Sequence, residues 1–297
     1  ETAVTAAENW LSTGTNFNDA GFTVFDNTKP QLLPIGHLAG LVAPANDTWA
    51  RDHGIRGTGV DLSTVFTRQA RLRAIELGGA DRVSFIHPYE IYKYGCPATG
   101  CTHLIAGTHR VWETIQGAVP ASSWYIASAD LTKGTLADRS FINQLSYAVS
   151  DPTVAIVGTN DGNVQFGFGL GAGTPMSATW VDVTGANTVL PNRPVLDVTT
   201  DPWTPTVGYA AIGGFAANTP ATPGHVFRVV CSAGCASFLW EDKSGNLPDI
   251  PIDSILVNPN LPGQVFAGSD WGLYFTDDIE ASPPVWLARC AVSLSAY

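Results

Sequence analysis

A step of small residues closing an apolar run returns along this chain at a nearly fixed distance. It occurs at Gly57-Thr58, Gly107-Thr108, Gly158-Thr159, Gly213-Gly214 and Gly268-Ser269, at intervals of 50, 51, 55 and 55 residues. Before each of the last four stands another β-rich run ending in a proline turn: Val83 to Pro88, Leu145 to Pro152, Val195 to Pro202 and Ile252 to Pro259. Proline cannot donate to a strand ladder, so the pattern predicts that each run stops there. After each of the last four steps come a third run and then a tryptophan, Trp124, Trp180, Trp240 or Trp286. The unit reads as strand, proline turn, strand, small-residue turn, strand, hairpin, tryptophan-bearing strand.

Four short antiparallel strands at this period specify an all-β chain, a β-propeller of four-stranded antiparallel blades, because one blade alone cannot bury both of its faces. The alternation in Ile252-Asp253-Ser254-Ile255-Leu256-Val257 has the period of a strand. Helical patterning is nearly absent; its best candidate is Val65 to Leu77, which suits a helix or a polar strand equally. The spacing predicts about five to seven blades in all, with the ring incomplete if further strands come from elsewhere. Residues 1–80 carry one weak copy of the landmark and form an N-terminal segment, and residues 81–297 carry the blades. One tryptophan per repeat points to core between blades, since each ring buries about 150–250 Å².

Composition narrows the partners. The 297 residues are 45% hydrophobic and 14% charged, and the 15 basic against 26 acidic side chains leave a net charge of −11. That balance excludes a basic nucleic-acid footprint and an anionic-membrane patch. No run approaches the roughly 18 apolar residues of a spanning helix. The chain begins at Glu1 rather than Met, which suggests that something was removed upstream, either by a processing enzyme, as with a signal peptide, or in preparing the protein.

The five cysteines fall as two close pairs and a singleton, Cys290. Cys96 with Cys101, and Cys231 with Cys235, each bracket a turn that could bring the two Cα atoms within bridging distance, so two local disulfides are expected. Zinc would want about four Cys or His ligands, and covalent haem would want a histidine directly after Cys101, where Thr102 stands. The histidines at 37, 53, 87, 103, 109 and 225 form no close metal pattern, and no glycine-rich segment precedes a helix as a phosphate loop must. No metal and no cofactor are expected. Cys290 is left for an intermolecular bond or a buried thiol.

The segments VGTNDGNVQF, LPNRPVLDVTTDP, TPGHVFRVV, WEDKSGNLPDIPIDSILVNP and QVFAGSDWGLYFTDD resemble the sialidase-like propellers of exported bacterial proteins, the BNR or Asp-box and sortilin-type superfamily. The resemblance spans residues 83 to 288 and is strongest from Asn187 to Asp277. The family's Ser-x-Asp-x-Gly-x-x-Trp box is eroded here, to Thr276-Asp277-Asp278 before Trp286 and to Cys231–Cys235 before Trp240. The resemblance implies a location outside the cytoplasm: secreted, periplasmic or on the cell surface.

Strand order then assigns faces. Turns after the first and third strands share one side, which takes both cysteine pairs. Turns after the second strand and between blades share the other, which takes His109, Arg110, Asn160, Asp161, Asn192, Arg193, Asp249, Asp270 and Trp271. The resemblance implies that any active site lies on this second side. A glycosidase needs two carboxylates flanking a bond, about 5–9.5 Å apart, with an aromatic platform; Asp161, Asp249 and Asp270 with Trp271 are the candidates. Asn160-Asp161-Gly162 is also a favoured hairpin turn, the preferred reading of that tripeptide. The arginine cluster and Arg-Ile-Pro segment of sialidase chemistry are missing.

The sequence thus reads as a non-catalytic extracellular binding or scaffold propeller, a subunit of a larger assembly. It would engage protein partners or its own copies, with glycans second, through His109, Arg110, Asn192, Arg193 and Trp271. The alternative is a glycoside hydrolase-like enzyme working through the paired aspartates.

Overall fold

The computed structural model describes residues 56–57, 60–61 and 81–289, apart from 83, 85–87, 93, 95–101 and 117–123. Contacts divide the chain into two compact units, one taking residues up to 130 together with 169–178, the other 131–168 and everything from 179. Beyond a short ribbon of β1 (Arg56–Gly57) and β2 (Val60–Asp61), the described strands form four four-stranded sheets.

The first unit holds one sheet, β3 (Tyr89–Ile91), β4 (Leu104–Gly107), β5 (Val111–Thr114) and β6 (Tyr125–Ile126). The second holds three. Blade two is β7 (Ile142–Ala148), β8 (Asp151–Thr159), β9 (Val164–Phe168) and β10 (Thr179–Asp182). Blade three is β11 (Val195–Thr200), β12 (Val207–Ile212), β13 (Val226–Ser232) and β14 (Ser237–Asp242). Blade four is β15 (Ser254–Val257), β16 (Val265–Ser269), β17 (Gly272–Thr276) and β18 (Leu287–Arg289). Every sheet is an antiparallel meander in chain order, so the all-β blade architecture of a propeller is what the repeat encodes.

In the second unit the blades stack face on face. Val154, Ile156, Val164 and Phe166 of blade two pack against Val195, Val198, Ala210, Ile212, Phe227 and Val229 of blade three. The opposite face of blade three, Val207, Tyr209, Ala211 and Val226, packs on Ile255, Val257, Val265 and Ala267 of blade four. A middle strand covered on both faces becomes apolar throughout, as in β12, where all six residues of Val-Gly-Tyr-Ala-Ala-Ile are buried.

At Gly158 the small-residue step has a steric cause. A Cβ on Gly158 would lie 2.5 Å from Cγ1 of Val195 and 2.9 Å from Cγ1 of Val198. The missing side chain is what admits the next blade's first strand.

The tryptophans work as core, and two also work as staples. Trp124, Trp240 and Trp286 are buried. Trp240 Nε1 donates to the Val183 carbonyl at the exit of blade two, at 2.5 Å, and Trp286 Nε1 to the Lys243 carbonyl at the exit of blade three, at 2.9 Å. Trp180 departs from this pattern: it is half-buried and lies over Gly167, its cross-strand partner.

One boundary also differs from the sequence reading. Pro152 does not end a run but is the second residue of β8, where its missing donor costs no ladder bond. In the first blade most of the run Val83 to Pro88 lies outside the described residues; the described strand starts at Tyr89, and the Pro88 carbonyl accepts from Gly107 N at 2.8 Å. The Val65–Leu77 segment lies outside the described residues.

Candidate functional site

The side of each blade that carries the turn after its second strand and the inter-blade connections was the expected seat of any chemistry. In blade two, Thr159 to Asn163 form the β8–β9 turn. Thr159 Oγ1 donates to Asp161 Oδ1 at 2.6 Å, Gly162 N to the Thr159 carbonyl at 3.2 Å, and Asn163 N to Thr159 Oγ1 at 2.9 Å. Thr135 N reaches the other Asp161 oxygen at 3.3 Å, and the residue is buried. Asp161 is therefore a turn staple, as its tripeptide suggests. Asn160 accepts from Phe141 N at 2.9 Å and donates to the Arg139 carbonyl.

Asn192 joins this turn through Lys133, which no motif or spacing in the chain singles out. Lys133 Nζ donates to the Gly162 carbonyl at 2.7 Å, Asn187 Oδ1 at 2.6 Å and Asn192 Oδ1 at 2.9 Å. Burial lowers its pKa, and the Asp161 and Asp182 carboxylates work the other way. All three ammonium donors are used on protein oxygens.

Arg193 and Asp249 come together around blade three. Arg193 is buried; its Nη2 donates to the Pro223 carbonyl at 3.1 Å and to the Gly224 carbonyl, while Nε and Nη1 are enclosed away from solvent. Burial lowers the guanidinium pKa against the opposing pull of Asp249 and Asp242. Asp249 Oδ1 accepts from Ala216 N at 2.7 Å and meets His225 Nε2 at 2.8 Å. Those bonds, the Ala216 one foremost, hold its pKa down. His225 Nδ1 faces the Ile212 carbonyl at 3.4 Å, so each ring nitrogen points at a protein oxygen and neither is placed to take a proton from a substrate.

In blade four, Asp270 and Trp271 form the tip of the β16–β17 turn. Ser269 Oγ accepts from Trp271 N at 3.2 Å and donates to the Gly272 carbonyl at 3.1 Å. Trp271 is 78% exposed, the largest fraction among the exposed large hydrophobic residues. Asp270 N bonds to the carboxylate of Asp253, whose pKa is raised by burial and then by the Asp270 charge. This carboxylate pair was missed in the sequence because Asp253 reads there as the polar partner in a strand alternation.

In the first unit, His109 and Arg110 occupy the β4–β5 turn. Arg110 Nη2 pairs with the fully buried Asp81 carboxylate at 3.0 Å, whose other oxygen accepts from Thr108 Oγ1 at 2.7 Å and Trp112 Nε1 at 2.8 Å. His109 Nδ1 accepts from Arg82 N at 3.2 Å, and burial leads the causes that lower its pKa. This cluster anchors the turn.

Among the described residues no hydrogen bond or ion pair joins any two of Asp161, Asp249 and Asp270, and no group of three or more His, Cys, Asp or Glu is gathered to hold a metal ion. No described helix is long and apolar enough to cross a membrane.

On the opposite side, Cys231 and Cys235 form the expected disulfide, with a Cα–Cα distance of 4.6 Å, at the β13–β14 hairpin. The eroded box near Trp286 still makes a turn, because Asp278 Oδ1 accepts from Glu280 N at 3.1 Å and Ala281 N at 3.2 Å. Cys96, Cys101 and Cys290 lie outside the described residues.

No protein-family model matches the chain. A curated relative, the uncharacterized protein YjhP of Escherichia coli (strain K12), is 68% identical over 40 residues, 14% of this chain and 16% of that protein. Among solved structures the chain is similar to the GH74 enzyme of Niastella koreensis, at TM-score 0.47 and 17% identity over 67% of this chain and 30% of that one. It is also similar to the Cps50 (Swd1) β-propeller domain of Myceliophteria thermophila, at TM-score 0.45 and 9% identity over 67% and 59%. The chain spans less than two thirds of the length of each of these proteins.

Proposed function

We propose that this chain is a non-catalytic binding and scaffold module of the sialidase-like propeller type, working outside the cytoplasm and engaging protein surfaces ahead of glycans. One observation supports it above the others: Asp161 and Asp249 each hold their own local backbone. Asp161 ties the β8–β9 turn, and Asp249 ties Ala216 N to His225. A glycosidase needs one carboxyl with a raised pKa facing a second carboxylate across the scissile bond. Asp161 is buried within its turn, and Asp249 is shifted the wrong way for an acid.

A second reading keeps one specific support. Asp253, with its raised pKa, sits beside Asp270 and the exposed Trp271, the elements of an acid, a partner carboxylate and a sugar platform. Both readings are tested by a polysaccharide-hydrolysis screen of the wild type with Asp253→Asn, Asp270→Asn, Asp161→Asn and Asp249→Asn. The binding reading expects no turnover on any substrate. Turnover abolished by Asp253→Asn or Asp270→Asn would overturn it in favour of the hydrolase.

A further inference from the structure

The connection between β9 and β10, residues 169–178, packs with the first unit, where it lies as a strap on the sheet of β3 to β6. Three backbone amides hold it there. Gly171 N donates to Glu113 Oε1 at 2.7 Å, Gly173 N to the Tyr125 hydroxyl at 3.2 Å, and Met176 N to the Ile126 carbonyl of β6, the last strand of that sheet, at 2.8 Å. Tyr125 in turn donates to Glu113 Oε2 at 2.7 Å, so two of the three bonds lead to one carboxyl group. The close approach needs glycine: Gly173 has a φ of +72°, and a Cβ on it would lie 2.8 Å from Ile115 Cδ1.

Glu113 is 0% exposed, and among the described residues no cation pairs with it. Residues 95–101 and 117–123, which adjoin this sheet's strands in the chain, contain no Lys, Arg, His, Asp or Glu, and neither does the strap. Strand pairing sets Glu113 in a row with Glu90, Ile105 and Tyr125, Glu90 standing two strands away. His103 packs on Gly171, and burial lowers its pKa, which favours the uncharged ring.

We propose that the strap is a pH-operated latch, tight while Glu113 carries a proton and looser once it ionises. A protonated carboxyl donates from Oε2 to the Tyr125 oxygen and still accepts from Gly171 N at Oε1, so both strap bonds survive protonation. The charged form carries a cost instead, because a carboxylate enclosed without a cation has lost its water, and release of the strap returns it. Burial accordingly raises the Glu113 pKa against the opposing pull of Tyr125 and Gly171. The closed strap binds the proton more tightly than the open one. Closure is therefore favoured below the ordinary value of 4.5 and loses that advantage as pH rises through the raised value.

The latch goes beyond the binding-module reading and does not depend on it. It is tested by backbone hydrogen exchange on the full chain from roughly pH 4 to pH 8, corrected for the intrinsic exchange rate at each pH and read at Gly171, Gly173 and Met176. In the wild type these three amides are expected to lose protection together as pH rises, by up to about tenfold per pH unit, the limit for one proton, while β4 and β5 keep theirs. Glu113→Gln keeps an acceptor for Gly171 N and removes the titration, so its strap protection should be flat across the range. Tyr125→Phe takes away the acceptor of Gly173 N and leaves the carboxyl, so Gly173 should exchange faster at every pH while Gly171 keeps its slope. A flat wild-type profile, a slope that survives in Glu113→Gln, or strap amides that exchange only together with β4 and β5 would overturn the proposal. Should Glu113→Gln not fold, a Gly171 slope missing from the wild type or from Tyr125→Phe overturns it equally.

Discussion

Asp197 should make this protein less stable as the pH rises towards neutrality, the reverse of the usual carboxylate behaviour. It sits at a bulge in β11, between strands of the two neighbouring blades. Its Oδ2 accepts from Ile255 N of blade four at 2.8 Å, its Oδ1 from Val198 N at 2.8 Å, and Gln144 of blade two supplies a side-chain bond. Burial outweighs these three bonds and pushes its pKa from 3.8 up to about 7. A folded state that holds the proton more tightly than the unfolded one gains stability below the unfolded value, and loses it as pH rises through the folded value. Three units correspond to a ceiling of about 4 kcal/mol. The residue keeps partial solvent contact, so roughly half of that, about 2 kcal/mol, is the expected loss from about pH 4 to pH 8. Asp197→Asn removes the titration, keeps one acceptor, and costs about 1 kcal/mol for the backbone bond it cannot accept. Denaturant unfolding of both proteins across that pH range, extrapolated to water, reads the difference directly. The variant is expected to be the less stable of the two near pH 4 and the more stable near pH 8. Stability curves that run parallel across the range would refute the assignment of a buried, proton-binding Asp197.

Two further outcomes follow from the packing. Gly158→Ala drives a methyl into Val195 and Val198, and should cost about 1–3 kcal/mol by overpacking, read as a lowered denaturation midpoint with an unchanged slope. Replacing both Cys231 and Cys235 by serine opens a short loop whose closure accounts for about 2 kcal/mol, and both residues are buried in the core shared by blades two and three. The double variant should lose at least that much, and a wild type unaffected by reductant at the same denaturant concentration would contradict it.

The blades were legible because a period near 50 residues is written in residue types with few alternatives: a small-residue step at the end of each second strand, which at Gly158 admits the next blade, and a tryptophan at or just before each fourth strand. The Cys231–Cys235 bond was legible for the same local reason. Contacts between segments distant in the chain were not. Lys133, Asp197 and Asp253 are ordinary polar residues in a turn, a strand and a strand alternation. What makes them notable is how closely the neighbouring backbone approaches, through the Gly162 carbonyl, Ile255 N and Asp270 N. The sequence reading puts Arg193 and Asp249 on one side, but it could not show that both serve the blade itself, because their partners are backbone groups and a histidine remote in sequence. Trp180 was expected in the core and is half-buried, because its cross-strand neighbour is Gly167, which offers a surface to cover and not a pocket to fill.

The proposed reading turns on Asp161 and Asp249 holding the structure. The stability of Asp161→Ala tests it most directly, because catalytic carboxylates are commonly kept at a cost in stability and their removal leaves a protein as stable or more so. The account predicts a loss of about 1–3 kcal/mol, from the Thr159 hydroxyl and Thr135 amide left without their acceptor. An unchanged or raised midpoint for Asp161→Ala would contradict it and return Asp161 to the list of catalytic candidates.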